Sequence, residues 1–224
     1  MTSDLTGLIL KNAQSAGIAL SERQAELCRI HTELMIEWNR RVNLTRITDP
    51  GEIVVKHILD SLVPASELPR SGRSLDVGTG AGFPGVVLKI FSPDLDMILL
   101  DSTRKKVSFL AAVLSKLGLT GIRAVHGRWE DFAAARENAN AFRLIAMRAV
   151  RLEPSHLAFL ASRVLDSGGV FASWAGPESE KAARGIAAEP FAGLEFAGSF
   201  SYALPGGEGT RSVWKWRKKE PAGR

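Results

Sequence analysis

The sequence predicts an α/β protein with a mainly parallel sheet, preceded by a helical N-terminal segment. From Arg73 onward, apolar runs alternate with amphipathic segments, a glycine-rich turn follows the first of these runs, and the last two runs are joined by a linker too short for a helix. Strands connected through helices pair in parallel, whereas strands joined directly pair antiparallel. We therefore expect a seven-stranded sheet that carries an antiparallel terminal hairpin.

Residues 1–70 are expected to form an N-terminal helical extension packed on the core, and residues 71–224 the main domain. Ser21 and Gln24 have the spacing of a capping box at a helix start. The apolar residues that follow recur at helical spacing: Leu27, Ile30, Leu34, Met35, Trp38 and Val42. Trp38 fits either this packed face or a surface that stacks on a nucleobase.

After residue 70 the apolar runs predict strands and the amphipathic runs predict helices. The predicted strands span residues 73–78, 96–101, 122–126, 143–149, 168–174, 194–204 and 210–217. The predicted helices lie near residues 84–91, 103–117, 153–166 and 177–188. Because ligands of open α/β sheets bind beyond the carboxyl ends of the strands, we expect the functional residues there.

A glycine-rich turn follows the first predicted strand, in the run Asp76-Val77-Gly78-Thr79-Gly80-Ala81-Gly82-Phe83-Pro84-Gly85. Glycine has no Cβ, so this turn lets the backbone lie against a ligand. Read from Gly80, the run matches the dinucleotide fingerprint G-x-G-x-x-G. Read from Asp76, it matches acidic-x-G-x-G-x-G, the pattern of enzymes that use S-adenosylmethionine (SAM). We favour SAM, because a dinucleotide turn opens immediately after its strand and the match from Gly80 begins two residues late.

A second acidic residue, Asp101, ends the next predicted strand, 23 residues beyond Gly78. A carboxylate at that place accepts hydrogen bonds from ribose hydroxyls. Since SAM and NAD both contain ribose, Asp101 supports the fold more than the choice of cofactor. For Asp76 two interpretations stay open: it polarises loop amides or meets the cationic methionine part of SAM, or it caps the loop structurally.

The amino-acid composition indicates the general class of the protein. With 224 residues, of which 45% are hydrophobic and 24% charged, the chain has the composition of a globular protein. It lacks an apolar run of bilayer length and a signal peptide, so we expect a cytoplasmic protein without a membrane segment. The single cysteine, Cys28, and four histidines form no recognisable zinc set, and we expect no metal.

The net charge of +5 permits a polyanionic partner, and three basic clusters show where it would bind. They are Arg40-Arg41, Arg104-Lys105-Lys106 and Lys215-Trp216-Arg217-Lys218-Lys219. Each cluster is either a solvated surface or a phosphate-binding surface. Together with the cofactor turn, they favour a nucleic-acid substrate.

Several short motifs occur in a specific order along the chain. They are Trp38-Asn39, Val42-Asn43-Leu44-Thr45, Lys56-His57-Ile58-Leu59-Asp60-Ser61-Leu62, the run from Asp76 to Gly85, Leu100-Asp101-Ser102, Lys105-Lys106-Val107-Ser108-Phe109-Leu110 and Arg148-Ala149. In this order and spacing the chain resembles the bacterial 16S rRNA guanine-N7 methyltransferases that modify guanine 527, also known as glucose-inhibited division protein B. The resemblance implies a Rossmann-like class I SAM-dependent methyltransferase fold, SAM as cofactor, and 16S rRNA of the small ribosomal subunit as partner. We also expect a monomer, although the sequence itself does not determine the oligomeric state.

The same resemblance assigns site residues. It places Gly78, Phe83, Trp129, Glu130 and Arg148 on SAM-contacting positions, and Asp76, Gly80, Gly82 and Asp101 complete the predicted cofactor site. The candidates for RNA contact are Arg40, Arg41, Asn43, Lys56, Arg104, Lys105 and Lys106. The chain departs from the family in Trp129, where a small residue is common, and in Trp174-Ala175-Gly176, where a Lys-Gly pair often follows the fifth strand.

The proposed chemistry requires no catalytic residue. Guanine N7 carries a lone pair and no proton, so methylation needs no general base. Alignment of two reactants lowers a barrier by up to roughly 7–11 kcal/mol. The Asn/Asp-Pro-Pro-Tyr/Phe motif of adenine-amine methyltransferases is replaced by Met147-Arg148-Ala149-Val150, and Cys28 lies too early in the chain to serve as a cytosine-C5 nucleophile.

Several alternatives stay open at this point. Glu130 either accepts from the adenine amine or is an exposed acid in a helical first turn. Arg148 holds the cofactor or an rRNA phosphate, or pairs with a buried acid. His57 and Asp60 are a catalytic pair or a structural one, and Asn43 contacts a base or caps the next segment. An NAD-linked oxidoreductase and a binding protein without turnover are the other function classes.

Overall fold

One mixed sheet of seven strands organises the computed structural model, which describes residues 2–150, 153–176, 193–206 and 210–220. The strands are β1 (Gly72–Val77), β2 (Leu95–Asp101), β3 (Ile122–His126), β4 (Phe142–Arg148), β5 (Leu165–Ala175), β6 (Leu194–Tyr202) and β7 (Arg211–Lys218). Their order across the sheet is β3-β2-β1-β4-β5-β7-β6. Strands β1 to β5 are parallel, and β7 is antiparallel to both β5 and β6. The predicted fold class and its antiparallel terminal hairpin are confirmed.

Most predicted strands agree with the structure to within two residues, but β5 begins three residues earlier than predicted. Phe142 pairs with Leu165, while Leu144 pairs with Val170, so the chain bulges between the two pairs. The predicted strand began at Gly168, inside this bulge, and so left out the three residues before it that belong to β5. The predicted helix at 177–188 lies outside the described residues.

The N-terminal segment is helical, as predicted. It contains α1 (Thr2–Ser15), α2 (Glu22–Asn39), α3 (Pro50–Ile53), a π-helical turn (Val54–Leu59), α4 (Asp60–Leu62) and a 3₁₀ turn (Val63–Glu67). The capping box of α2 is present: the Ser21 hydroxyl accepts from the Gln24 amide, and the Gln24 side chain accepts from the Ser21 amide. The segment was expected to be helical, but the π-helical turn was not predicted, because such turns are rare and occur mostly as single turns inside α-helices.

In the described part of the chain, four further helices accompany the strands: α5 (Gly85–Phe91), α6 (Arg104–Leu117), α7 (Trp129–Ala134) and α8 (Pro154–Val164), with a 3₁₀ turn at Arg136–Asn138. Helix α7 was not among the predicted helices, although one interpretation of Glu130 placed it in a helical first turn. Six residues are too few to show helical periodicity.

Two apolar clusters fill the two faces of the sheet. One joins the N-terminal helices to α5 and α6 through residues such as Ile9, Met35 and Phe109. The other joins α8 to the sheet through residues such as Leu160 and Phe142. Helix α2 packs against both α5 and α6, so it lies on the same face as the helix that follows the glycine turn.

Candidate active site

The carboxyl ends of the parallel strands meet at one edge of the sheet. There β1 runs into the glycine turn, β2 ends at Asp101 and β4 ends at Arg148. Strands β1 and β4 are neighbours, and the strand order reverses between them. Such a reversal opens the crevice in which α/β proteins bind their ligands, so the fold brings the predicted cofactor residues to a suitable edge.

Asp76 is fully buried and caps the glycine turn. Its Oδ2 accepts hydrogen bonds from the Thr79 hydroxyl at 2.7 Å and from the Gly85 amide at 2.8 Å. Its Oδ1 has no hydrogen-bond partner within the described part of the chain. Burial raises the pKa of Asp76 to about 6, against the opposing effect of the two hydrogen bonds. The structure therefore displays the capping contact that was one of the two interpretations of Asp76.

Asp101 holds the turn from the neighbouring strand and is 5% exposed. Its Oδ2 accepts from the Gly80 amide at 2.9 Å, and its Oδ1 accepts from the Thr103 amide at 2.8 Å. An ionised carboxylate offers about four acceptor positions. Two of them are thus left for hydroxyl groups of a ligand.

The three spaced glycines of the turn have different surroundings, although all have left-handed backbone angles. A Cβ on Gly78 would lie 2.4 Å from Val150 Cγ2, and one on Gly82 would lie 2.7 Å from Val86 Cγ2. A Cβ on Gly80 would meet nothing closer than 3.9 Å. Packing within the protein therefore requires glycine at 78 and 82, whereas the space beside Gly80 is open.

Phe83 ends the turn, is buried, and stacks on two histidine rings. Its ring lies 4.7 Å from that of His31 on α2 and 4.8 Å from that of His57 in the π-helical turn, both nearly parallel to it. The His31 Nε2 lies 2.7 Å from the Ala81 carbonyl oxygen. Sequence reasoning missed His31, because a single histidine in an amphipathic helix carries no signal of the loop that it contacts.

Arg148, at the end of β4, pairs with a buried acid. Its Nη1 donates to Asp60 Oδ2 at 2.9 Å and to the Lys56 carbonyl at 3.2 Å, while its Nη2 donates to His57 Nδ1 at 2.9 Å. Asp60 is 1% exposed and also accepts from the Tyr202 hydroxyl at 2.7 Å. The structure thus shows the acid pairing that was one alternative for Arg148, and joins β4 to the N-terminal segment.

The predicted direct contact between His57 and Asp60 is corrected by the structure. Among the described residues no hydrogen bond joins the two side chains, and Arg148 lies between them instead. The π-helical turn causes the difference, since it changes the angular spacing of residues three apart. Burial, followed by the charge of Arg148, lowers the pKa of His57 to about 3. His57 is therefore neutral, and Arg148 occupies its Nδ1 lone pair.

Trp129 and Glu130 begin α7, directly beyond β3. The Trp129 ring packs against His156 at 5.4 Å and Phe159 at 6.5 Å. Glu130 is exposed, and its Oε2 lies 3.8 Å from Arg128 Nε. The structure places both residues at the strand-end edge, with the Trp129 side chain directed to α8.

The RNA candidates are spread over three places in the N-terminal half. Arg40, Arg41 and Asn43 are exposed after α2, Arg104 and Lys105 are exposed on the first turn of α6, Lys106 is half-buried there, and Lys56 pairs with Glu52 at 2.6 Å. The first two groups are brought near one another, because Trp38 of α2 packs on Phe109 of α6 with ring centres 5.8 Å apart. Trp38 is thereby in the packed face.

The structure also decides whether Asn43 caps the next helix and where the C-terminal basic run lies. Asp49 accepts from the Glu52 amide and caps α3, so Asn43 is not that cap. The C-terminal basic run forms part of β7, where Lys215 pairs with Glu67 at 2.7 Å and Lys218 donates to the Leu165 carbonyl at 2.7 Å. Two of its cations are thus used inside the protein.

Within the described ranges, no group of histidine, cysteine and acidic side chains could hold a metal ion. The helices in those ranges are all too short or too polar to cross a bilayer.

The chain is similar over most of its length to proteins of one family. The family model described as rRNA small subunit methyltransferase G (GidB) matches residues 24–192. The chain is 52% identical over 202 residues to ribosomal RNA small subunit methyltransferase G 1 of Syntrophobacter fumaroxidans, covering 90% of this chain and 91% of that relative. It is 36% identical to ribosomal RNA small subunit methyltransferase G of Moorella thermoacetica, covering 95% of this chain and 83% of the relative.

Solved structures share the fold at low identity. A predicted O-methyltransferase from Agrobacterium tumefaciens has a TM-score of 0.54 at 19% identity, covering 73% of this chain and 80% of its own. A protein of the NADB-Rossmann superfamily from Streptococcus agalactiae has a TM-score of 0.52 at 14% identity, covering 74% of this chain and 70% of its own. With the fold, the strand-end site and the long match to curated relatives in agreement, this chain belongs to the rRNA small subunit methyltransferase G family.

Proposed function

We propose that this protein transfers the methyl group of SAM to N7 of guanine 527 in the 16S rRNA of the small ribosomal subunit. Family membership supports an rRNA methyltransferase. The observation that carries the assignment of the site is Asp101, a carboxylate that holds the Gly80 amide and keeps two acceptor positions for a ligand.

The residues at the strand ends fit SAM in distinct ways. We assign Asp101 to the ribose hydroxyls and Gly80, with open space beside it, to close approach of the backbone. Trp129 and Glu130 are assigned to the adenine end of the site. The other predicted cofactor residues act by holding the turn in shape: Asp76, Gly78, Gly82, Phe83 and Arg148.

When bound, SAM supplies an electrophilic sulfonium methyl group, and guanine N7 accepts it with its lone pair. The protein's residues then act by position rather than by proton transfer. His57 suits this reaction, since it is neutral and its Nδ1 lone pair faces Arg148. Asp76 is committed to the Thr79 hydroxyl and the Gly85 amide, away from solvent.

For RNA contact we propose the exposed ends of α2 and α6, with the residues Arg40, Arg41, Asn43, Arg104, Lys105 and Lys106. Lys56, which lies in the π-helical turn and pairs with Glu52, is a further candidate at a separate place. We further propose that residues 1–70 act as an extension that carries part of this surface, that residues 71–224 carry the SAM site, and that the protein acts as a cytoplasmic monomer.

The most direct experiment measures methyl transfer from labelled SAM to small ribosomal subunits from a strain that lacks the gene. We expect label at guanine 527 of 16S rRNA, and none in subunits that already carry the methyl group. Titration with SAM and with NAD is run in parallel. Binding of NAD without SAM would favour the oxidoreductase class, and SAM binding without transfer would favour a binding protein.

A further inference from the structure

Helix α2 reaches across the glycine turn and contacts three of its consecutive residues through one side chain. His31 is fully buried in the middle of α2. Its Nε2 lies 2.7 Å from the Ala81 carbonyl oxygen, and its ring stacks on Phe83. A Cβ on Gly82 would lie 3.3 Å from His31 Cε1, so the ring also fits closely against that glycine.

The protonation state of His31 follows from its surroundings. Burial lowers the pKa of His31 to about 4, so the imidazole is neutral at pH 7 and carries one N–H. A carbonyl oxygen only accepts, and the proton therefore lies on Nε2. Its Nδ1 is buried and has no hydrogen-bond partner in the part of the chain that the structure describes. The ring thus presents a single donor, aimed at the turn.

The contact of His31 with Ala81 lies next to the open part of the glycine turn. Ala81 directly follows Gly80, whose amide donates to Asp101 and beside which the space is open. The glycines on either side of Ala81 have φ angles of +59° and +93°. The turn is thus held on one side through the Gly80 amide and on the other through the Ala81 carbonyl.

We propose that His31 is a positioning residue for the methyl donor: it acts through the Ala81 carbonyl and the Phe83 ring to hold the turn in the shape that admits SAM. The inference rests on the proposed function, because it takes SAM as the ligand of the turn. It makes the N-terminal segment part of the cofactor site without contact between that segment and the cofactor.

The test compares two replacements of His31 with a neighbouring control. His31→Phe keeps a ring of similar size for the stack and removes the donor, while His31→Gln restores an N–H donor. Thr32→Val is the control, since Thr32 is also buried in α2 and its hydroxyl donates to Cys28 O, away from the turn. The measurements are the Kd of SAM by calorimetry, KM for SAM and for small subunits, kcat, and the melting temperature.

We expect His31→Phe to weaken SAM binding about 10-fold, which corresponds to one lost buried hydrogen bond. KM for SAM rises by the same factor, while KM for the small subunit and kcat change less than about 2-fold. His31→Gln returns the Kd to within about 3-fold of the wild type, and Thr32→Val lowers only the melting temperature.

The proposal is overturned if His31→Phe melts earlier yet binds SAM as the wild type does, or if Thr32→Val weakens SAM equally. Should His31→Phe not fold, the smaller His31→Leu takes its place as the variant without a donor. SAM binding about 10-fold weaker in His31→Leu than in His31→Gln supports the role, and equal SAM binding in the two contradicts it. A wild-type protein that binds no SAM would instead refute the proposed function.

Discussion

The glycine turn is held from two sides by different chemistry. On the sheet side, the carboxylates of Asp76 and Asp101 accept hydrogen bonds from amides and a hydroxyl of the turn and of the residues beside it. On the helix side, the rings of His31 and His57 each stack on Phe83. Burial keeps both of these histidines neutral.

If the proposed SAM site is correct, the two sides of the turn have different tasks. Asp101 would meet the ribose, Asp76 holds the turn from within, and the neutral rings pack against Phe83. A protonated histidine behind the turn would repel the sulfonium group, whereas a neutral ring contributes packing and one donor. Perturbing each side in turn tests whether stability and cofactor affinity divide between them.

The largest effect is expected on the helix side, at the buried acid. Asp60→Ala removes the partner of Arg148, whose side chain is 15% exposed, and of Tyr202. Removing one member of a buried ion pair costs about 3–5 kcal/mol, because the other charge is left without a partner. Urea unfolding should show this loss, whereas Glu52→Ala, which breaks an exposed pair, should lose less than about 1 kcal/mol. Equal losses in the two variants would contradict the assignment.

On the sheet side, Asp101→Ala should separate affinity from stability. We expect SAM binding to weaken by about 100-fold or more, or about 3 kcal/mol, because two charge-assisted hydrogen bonds to the ribose are lost. The thermal transition should remain cooperative. Asp96→Ala, an exposed acid on the same strand, is the matched control and should bind SAM normally. If calorimetric titration found that Asp101→Ala binds SAM with wild-type affinity, Asp101 would not be the residue that binds the ribose hydroxyls.

The buried carboxyl of Asp76 should make stability depend on pH. Its pKa is raised to about 6 in the folded protein, so the folded state binds the proton more tightly than the unfolded state. This contribution is fully present below the unfolded pKa and is lost as pH rises through about 6. It amounts to about 3 kcal/mol.

Comparison with Asp76→Asn isolates that contribution, since the amide oxygen still accepts from Thr79 and Gly85. The unfolding free energy of the wild type, relative to Asp76→Asn, should fall between about pH 4 and pH 7 and then level off. Both proteins contain His31 and His57, so the contributions of these histidines to the pH dependence cancel in the difference between the two unfolding free energies. A difference that does not vary with pH would show that Asp76 is not the group responsible.

The smallest effect is expected at the stack. Phe83→Leu keeps an apolar side chain and removes two ring pairs, each worth about 0.5–1.5 kcal/mol. We expect about 1–2 kcal/mol less stability by urea unfolding and only a few-fold weaker SAM binding. Phe91→Leu, a half-buried ring at the end of α5, is the comparison. If Phe83→Leu weakened SAM binding as strongly as Asp101→Ala does, stability and SAM affinity would not depend on different sides of the turn.

The strand ends and the acidic residues on them could be predicted because their signals are local. An apolar run followed by Asp76 and spaced glycines, and a second run closed by Asp101, each lie within a dozen residues. The capping box at Ser21 and Gln24 is equally local and was found. Turn chemistry and apolar period are properties of neighbouring residues, so a single sequence contains them.

The contacts of Arg148, His31 and His57 could not be predicted from such local signals. Arg148 lies 88 positions from Asp60, and His31 lies 50 positions from Ala81. Whether His57 meets Asp60 directly depended on a π-helical turn, and Gly80 could be told from Gly78 only through Val150.

The amino-acid sequence by itself determined the alternation of strands and helices, the glycine turn, its two acids and the family resemblance. The tertiary structure decided which polar groups pair, which glycine faces open space, and that the N-terminal helices hold the turn from behind. The physical reason is that secondary structure and turns follow from short-range sterics and hydrophobic spacing. The partner of a buried charge or ring is chosen by packing between segments that are far apart in the chain.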